Sequence, residues 1–254
     1  MQNTISNSQS ASVSQTVEIP ASRPWLMLVS RSALFLFFQF LIALVLALTG
    51  TTSAWKDSAR WWPFMAIFAS IISIYLLVRL FSAEGQRYLD VIKFSRLTWK
   101  KDLLWFLGAF ILGIPIISAP MNIVGDAIFG DRMTPVYMMF GTLPAWALLA
   151  SLLFPITVAF SELPTYFAYC MPRIAAQIKS GWLAWLIASF FLGAQHMFLP
   201  FIPDGRFMLW RLLMYMPFAL FAGFVLKLRP TLLPYFMNMH ALVDFSAVAV
   251  YLTM

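Results

Sequence analysis

One carboxylate, Glu162, lies inside a run that is otherwise apolar enough to lie in a bilayer: Phe160-Ser-Glu-Leu-Pro-Thr-Tyr-Phe-Ala-Tyr-Cys-Met-Pro-Arg-Ile174. An ionisable side chain at the centre of a membrane helix costs about 2.5–3.5 kcal/mol on insertion scales. Such a side chain therefore normally faces the protein interior and marks a functional site. Later apolar segments carry the two histidines of the chain, His196 and His240, the second with Asp244 four residues on.

The composition around this stretch is that of a polytopic membrane protein. Of the 254 residues, 61% are hydrophobic and 11% are charged, and the mean hydropathy is +0.82. Soluble domains are about 45–50% apolar and about 25% charged. The net charge of +7 is therefore interpreted as a determinant of membrane topology, and no nucleic-acid partner is expected. The single cysteine, Cys170, excludes an internal disulfide and a thiolate zinc cage.

The chain divides into a polar tail and one membrane domain. Residues 1–22 lack an apolar period and carry one charge, so they are predicted to be a disordered tail. Residues 23–254 are predicted to form a single all-α domain, a polytopic transmembrane bundle of about seven to eight helices, since about 20 apolar residues cross a bilayer core. The apolar segments are 33–50, 61–81, 103–123, 144–172, 182–201, 207–227 and 231–253. The fourth leaves the count open, because four prolines could divide it into two crossings: Pro144, Pro155, Pro164 and Pro172.

The basic residues predict which end of the bundle faces the cytoplasm. With seven crossings, twelve fall on one side: Arg23, Arg31, Arg79, Arg87, Lys93, Arg96, Lys100, Lys101, Arg173, Lys179, Lys227 and Arg229. The other five are Lys56, Arg60, Arg132, Arg206 and Arg211. Cytoplasmic loops are enriched in Lys and Arg. We therefore predict a multi-pass protein of the plasma membrane with a cytoplasmic N-terminus.

The ionisable residues of the later segments share one depth. A rise of 1.5 Å per residue from the cytoplasmic ends places Glu162 at about 15 Å, His196 at about 22 Å, His240 at about 14 Å and Asp244 at about 20 Å. His240 and Asp244 are four residues apart and so share one helix face. Each residue alone could serve packing, as a hydrogen-bonded Glu or a satisfied core His. Their common depth favours one shared cavity.

Such a cavity suits the attack of water on a peptide carbonyl. A carboxylate in a water-poor cavity is a competent general base, and a histidine can help to orient or share its proton. Other intramembrane protease signatures are absent from the sequence: it has no H-E-x-x-H zinc helix, no Gly-x-Gly-Asp element with paired aspartates, and no Gly-x-Ser nucleophile followed by histidine.

The motif residues resemble those of the CPBP family, the CAAX-processing and bacteriocin-processing (Abi) intramembrane endopeptidases. Members look like E-E-x-x-x-R, often E-E-P-G-W-R-G-Y-A-L-P-R-L, then F-x-x-x-H, then H-x-x-x-N or H-x-x-x-D. On this pattern Glu162 takes the place of the first glutamate, which implies that it is the base. His196 takes the second motif, with Leu192 at its Phe position, and His240-Ala-Leu-Val-Asp244 matches the third. The resemblance covers residues 144–254, the predicted catalytic region.

Two positions depart from that pattern. Leu163 stands at the second glutamate and Phe167 at the arginine. Either the two charges were partners that were lost together, or this branch has lost activity. Losing both members of a buried ion pair avoids an uncompensated charge, which slightly favours the first.

The resulting expectation is an intramembrane endopeptidase that acts on membrane-associated, prenylated or peptide substrates. Glu162 would activate water, His196 would assist on that water, and His240 with Asp244 would form the oxyanion-stabilising side, with no cofactor or metal required. Three alternatives stay open. The first is a zinc protease using His196, His240 and Glu162. The others are a non-catalytic immunity or scaffold protein, and a proton-coupled transporter.

Overall fold

The computed structural model of the protein describes residues 20–251, and within that range it is helical, without a strand. The α-helices are α1 Arg23–Leu48, α2 Ala54–Ser58, α3 Trp62–Ala83, α4 Tyr88–Val91, α5 Trp99–Phe129, α6 Thr134–Met139, α7 Ala145–Ser151, α8 Leu153–Ala159, α9 Met171–Ile178, α10 Gly181–Ala194, α11 Gly205–Leu228 and α12 Leu233–Val250. A π-helical turn covers Pro164–Cys170, and 3₁₀ turns cover Ala59–Trp61, Gln195–Phe198 and Pro230–Leu232. The all-α prediction is confirmed for these residues. The tail predicted at 1–22 lies, up to residue 19, outside the described residues.

Five helical segments of the described chain are long and apolar enough to cross a membrane: Arg23–Leu48, Ala54–Ala83, Trp99–Phe129, Ala145–Ile178 and Gly205–Leu228. By length and composition the chain is therefore a multi-pass membrane protein. The predicted count of seven to eight crossings is not confirmed. The apolar run 182–201 forms an α-helix of only 14 residues, α10, about 21 Å long. The last run, in α12, is made less apolar by three polar side chains, Asn238, His240 and Asp244.

The fourth spanning segment is one bent column rather than two crossings. Its prolines lie where one helical piece gives way to the next, and Pro164 opens the π-helical turn. Proline lacks an amide hydrogen and clashes with the preceding turn, so it bends a helix without forcing the chain to reverse. The column therefore runs from α7 through α8 and the π turn to α9.

The contacts between loops define two ends of the bundle. One end, here called the basic end, comprises residues 20–25, 84–102, 173–182 and 227–235. There Arg173 forms an ion pair with Glu84. Arg229 lies 2.6 Å from the Asp102 carboxylate. The opposite end comprises residues 48–62, 125–143 and 199–206 with Tyr251, whose hydroxyl donates to the Arg60 carbonyl oxygen at 2.7 Å.

Two arginines counted in the topology prediction lie at neither end. Arg31 has no exposed surface and Arg211 is 3% exposed, and both are inside the bundle. α1 begins at Arg23, earlier than the predicted segment 33–50, because Pro24 suits the first helical turn and the residues after it are apolar. Arg31 therefore lies within the helix. Removing one arginine from each side leaves eleven basic residues against four, so the asymmetry does not depend on them.

Two apolar clusters fill the bundle, one toward each end, and polar side chains separate them. In α1 the chain passes from Leu28 in one cluster to Phe35 in the other, and Arg31 lies between. Along α8 and the π turn, Val158 belongs to the cluster of Phe35 and Leu163 to the cluster of Leu28, and Glu162 lies between them. We call these separating side chains the polar layer: Arg31, Ser70, Ser73, Ser161, Glu162, Gln195, His196, Arg211, His240 and Asp244.

Candidate functional site

Glu162 lies where the fourth spanning segment changes from α-helix to a wider turn. α8 ends at Ala159, and the π turn begins at Pro164. Thr165 donates from its backbone amide at 3.0 Å and from its hydroxyl at 2.6 Å to the Ser161 carbonyl oxygen, which fixes the backbone around the carboxylate. Glu162 is only 3% exposed. Single π turns inside helices are frequent at functional sites, which makes this local geometry a reason to examine the carboxylate.

His240 lies between two carboxylates. Its Nε2 atom is 3.5 Å from Oε1 of Glu162 and 3.5 Å from Oδ2 of Asp244. His240 and Asp244 project from one face of α12, as their spacing predicts, while Glu162 reaches them from the neighbouring column. A small movement of the ring brings Nε2 within hydrogen-bond distance of either carboxylate. The imidazole is therefore placed to exchange a proton with Glu162 or to be oriented by Asp244.

His196 is held in a defined orientation at the end of α10. Its Nδ1 atom is 3.0 Å from the Leu192 carbonyl oxygen. A carbonyl oxygen only accepts, so Nδ1 carries a proton and Nε2 of the neutral ring is left as an acceptor. The ring stacks on Tyr215 with centroids 3.7 Å apart. Arg211 donates to the His196 carbonyl oxygen at 3.0 Å and to the Leu199 carbonyl oxygen, which secures the 3₁₀ turn.

The four side chains line one cavity of about 220 Å³: Glu162, His196, His240 and Asp244. Its other walls are mainly apolar, with Trp62, Phe154 and Phe218 among them. The structure thus brings together all four residues that the sequence singles out. A carboxylate and two imidazoles around a mostly apolar chamber can bind water and move a proton, which is the equipment of general acid–base chemistry.

Arg31 belongs to the site, although the sequence did not predict it there. Its Nη2 atom is 3.6 Å from Oε2 of Glu162. Its Nη1 atom donates to the Ser161 hydroxyl at 2.8 Å, and its Nε atom donates to Oε1 of Gln195 at 2.9 Å. Helix α1 thereby fixes the Glu162 carboxylate from the side opposite His240.

The sequence does contain a signal for Arg31. The residues from Pro24 to Ser30 are predominantly apolar, so Arg31 interrupts an apolar run instead of flanking it. Counting every arginine as a topology determinant hides that signal. Gln195 and Ser161 are not predicted as site residues for another reason. Uncharged polar side chains are common in membrane helices, so their presence in an apolar segment does not indicate a functional site.

The polar layer has hydrogen-bonding capacity to spare. Among the described residues, four buried atoms of the layer have no hydrogen-bond partner: Nη2 of Arg31, Nε2 of Gln195, Nδ1 of His240 and Oδ2 of Asp244. Buried polar atoms are nearly always paired, so such a concentration calls for an explanation. It is the pattern of a site that engages water or a polar ligand group.

The zinc alternative requires Glu162, His196 and His240 to converge on one point. Within residues 20–251, no group of three or more His, Cys, Asp and Glu side chains is arranged to hold a metal ion. Nδ1 of His196 is already engaged by the Leu192 carbonyl oxygen, so zinc would have to bind its Nε2 atom.

Comparison with known protein families, with curated proteins and with solved structures finds no match to this chain.

Proposed function

We propose that this protein is an integral-membrane endopeptidase that hydrolyses peptide bonds of membrane-associated substrates. The observation that carries the proposal is the cavity that Glu162 shares with His196, His240 and Asp244 in the middle of the bundle. Ionisable residues at that depth are expensive and are usually functional. The resemblance of the same residues to the CPBP motifs also supports the proposal.

In the proposed reaction Glu162 acts as general base. It accepts a proton from a water molecule as the water oxygen bonds to the carbonyl carbon of the substrate. Nε2 of His196 accepts a hydrogen bond from the same water, which orients its lone pair. Collapse of the tetrahedral intermediate breaks the C–N bond, and Glu162 returns the proton to the leaving amine.

His240 and Asp244 serve the substrate oxygen in this proposal. A proton on Nδ1 of His240 is available to the developing oxyanion, because that atom has no hydrogen-bond partner within the described chain. In this role the ring carries a proton on Nε2 as well, and that N–H is directed at Asp244, 3.5 Å away, which would hold the ring in place. No cofactor is required.

Arg31 bears on the two departures from the CPBP pattern. The motif arginine is replaced by Phe167, which is buried in the apolar cluster at the basic end. A guanidinium nevertheless reaches Glu162 from α1. This arrangement favours a site in which the charge is supplied by another helix over a branch that has lost activity.

The topology belongs to the same proposal. We infer that the basic end faces the cytoplasm of a plasma-membrane protein, since eleven basic residues lie there or beside it against four on the other side. α10 with its 3₁₀ turn and α12 would then complete seven crossings. The cavity would lie between the middle of the membrane and the non-cytoplasmic surface, because its lining includes Val136, Met139 and Phe140 of the opposite end.

Replacing Glu162 by Gln tests the proposal. Cells that express the wild-type chain should show new amino termini in their membrane proteins, and these should disappear with Glu162→Gln. Asp126→Asn is the matched control, since Asp126 is exposed near the end of α5 and should leave the termini unchanged. Identical sets of termini with wild type and Glu162→Gln, at equal expression, would rule out a peptidase and leave an immunity or scaffold role.

Metal analysis separates the glutamate mechanism from the zinc alternative. We expect purified protein to retain cleavage in the presence of a strong chelator, because Glu162 and His196 act on the water without a metal ion. Stoichiometric zinc in the protein, with activity lost to the chelator and restored by zinc, would assign His196, His240 and Glu162 to a metal site instead.

A further inference from the structure

The cavity reaches the lipid-facing surface between α5 and α12. Five of its lining residues form that side, here called the lateral mouth: Ile117, Met121, Val243, Ser246 and Ala247. Met121 and Val243 are each 37% exposed although they line the cavity. In a membrane-spanning bundle an exposed side chain at this depth contacts lipid. These side chains therefore lie between the chamber that holds Glu162 and the bilayer.

The helix on one side of the mouth is attached mainly to α11. α5 is the least buried of the five spanning segments. Asp102 pairs with Arg229 just after α11, and two residues of α11 donate to carbonyl oxygens of α5, Trp210 to Met121 at 3.4 Å and Arg206 to Ile128. The polar contact of α5 with α12 is at the basic end, where the Tyr235 hydroxyl donates to the Trp99 carbonyl oxygen. Beside the mouth, therefore, α5 is tied to α11 and the seam that can open is the one between α5 and α12.

The ends of the bundle offer no comparable route. Toward the opposite end the cavity is covered by α6 and by aromatic rings, with centroids 5.6 Å apart for Trp62 and Phe140 and 4.7 Å apart for Phe140 and Tyr251. Toward the basic end it meets the other apolar cluster, where Leu163 and Phe236 have no exposed surface. These two coverings leave the side between α5 and α12 as the route to Glu162.

The polar atoms beside the mouth indicate what passes through it. Nδ1 of His240 and Oδ2 of Asp244 have no hydrogen-bond partner in the described chain. A lipid acyl chain has no group to satisfy them. A peptide unit has both, since its C=O accepts a hydrogen bond and its N–H donates one.

We propose that an apolar polypeptide segment enters sideways from the bilayer, between α5 and α12, and docks its extended backbone on His240 and Asp244. The C=O of one residue would accept from Nδ1 of His240, and the N–H of the same residue, which points to the same side of an extended chain, would donate to Oδ2 of Asp244. This inference rests on the proposed function and names its substrate class: a polypeptide already embedded in the membrane, cut within or next to its apolar segment.

The test measures docking without cleavage. Full-length protein carrying Glu162→Gln together with Arg31→Met, so that no buried guanidinium is left without its carboxylate, is reconstituted in phosphatidylcholine vesicles with a single-span leucine–alanine peptide of about 20 residues that bears a photoreactive diazirine at its centre. Irradiation followed by mass spectrometry reports the yield and position of covalent adducts. We expect adducts at the lateral mouth, competed by unlabelled peptide.

Tryptophan substitutions at the mouth provide the matched variants. Met121→Trp and Val243→Trp fill the mouth and should lower the adduct yield at least fivefold. Ile123→Trp and Leu242→Trp lie on the same helices, are 64% and 72% exposed and do not line the cavity, so they should stay within twofold of the parent. Thermal unfolding checks each variant, and Val243→Phe replaces any tryptophan variant that does not fold.

Two outcomes would overturn the inference. One is equal adduct yields in the mouth and control variants. The other is a phospholipid that co-purifies in the cavity, is lost in the mouth variants and excludes the peptide. The protein used in this test cannot cleave by the proposed route. The adduct yields therefore test docking independently of the peptidase assay.

Discussion

Arg31 carries a positive charge to the middle of the bundle, and its partners there explain how the charge is accommodated. The guanidinium has no exposed surface, donates to Ser161 and Gln195, and faces the Glu162 carboxylate at 3.6 Å. Taking two charges out of water costs several kcal/mol each, and their attraction offsets that cost only with good geometry and further hydrogen bonds. Removing one partner leaves the other uncompensated, so each residue depends on the other.

We predict that Arg31→Met lowers the free energy of unfolding by about 3–5 kcal/mol, because it leaves the Glu162 carboxylate without its counterion. Thermal unfolding in detergent measures the loss. Arg79→Met is the control, since Arg79 is exposed on α3 and should change stability by no more than about 0.5 kcal/mol. The double variant Arg31→Met/Glu162→Gln should recover most of the loss. Equal instability of the single and double variants would mean that Arg31 acts through packing rather than charge.

Among single residues, the sequence predicts as site members those whose ionisable side chains lie deep in an apolar segment. Counting the helical rise groups Glu162 with His196 and His240, and the structure has all three around one cavity. The stacking of His196 on Tyr215 is not predictable, because it depends on how α11 rotates against the end of α10. Rotation is set by packing between helices and leaves no periodic mark in so uniformly apolar a sequence.

The contact of α11 with α10 and the π turn depends on one small residue. A Cβ atom at Gly223 would lie 2.5 Å from the Ser189 hydroxyl oxygen and 2.6 Å from the Phe167 ring. Close approach of membrane helices commonly uses such residues. Phe167, the residue at the position of the motif arginine, fits only because Gly223 leaves room for its ring.

We predict that Gly223→Ala destabilises the protein by about 1–3 kcal/mol, since Phe167 and Ser189 must shift to admit the methyl group. Gly108→Ala is the matched control. Gly108 lies within α5, and a Cβ there meets no atom within 4 Å. Because alanine favours helix over glycine, the control should be neutral or more stable by up to about 1 kcal/mol. Thermal unfolding of both variants in one detergent checks the difference, and equal midpoints would contradict the packing account.

The sequence predicts that the segments are helical, but it predicts the residues at which the helices begin and end less well. The apolar run 182–201 continues past Ala194, where α10 stops and the 3₁₀ turn Gln195–Phe198 begins. Hydropathy does not report that change, because it averages side-chain polarity over a window and carries no information on backbone conformation. The π turn at Pro164–Cys170 is hidden in the same way, although Pro164 marks where it starts.

The polar layer organises the whole molecule. Each apolar cluster packs like an ordinary helical core, and three of the four buried Asp, Glu, Lys and Arg residues of the described chain, Arg31, Glu162 and Arg211, lie between them. The loops then tie each end together, as Arg173 with Glu84 at the basic end illustrates. This division gives the topology a physical test, because residues at the two ends should face opposite compartments.

We predict that a cysteine at Leu97 reacts with a membrane-impermeant maleimide only after the membrane is disrupted, whereas a cysteine at Lys56 reacts in intact cells. Leu97 is 98% exposed at the basic end, and Lys56 is exposed at the opposite end. The native Cys170 is buried and serves as the internal control for non-specific reaction. The reverse labelling pattern would place the basic end outside the cytoplasm and contradict the topology.

The position of Arg31 in the first helix also has a consequence for biogenesis. Its partners Ser161 and Gln195 follow it by 130 and 164 residues, so they do not exist when α1 leaves the ribosome. At about 5–20 residues per second, translation needs roughly 7–26 s to supply Ser161. For that interval the partners that the chain itself supplies are the hydroxyls of Ser70 and Ser73 on α3, 3.5 and 3.4 Å from Nη1, and the guanidinium gains the Glu162 carboxylate only when the fourth span arrives.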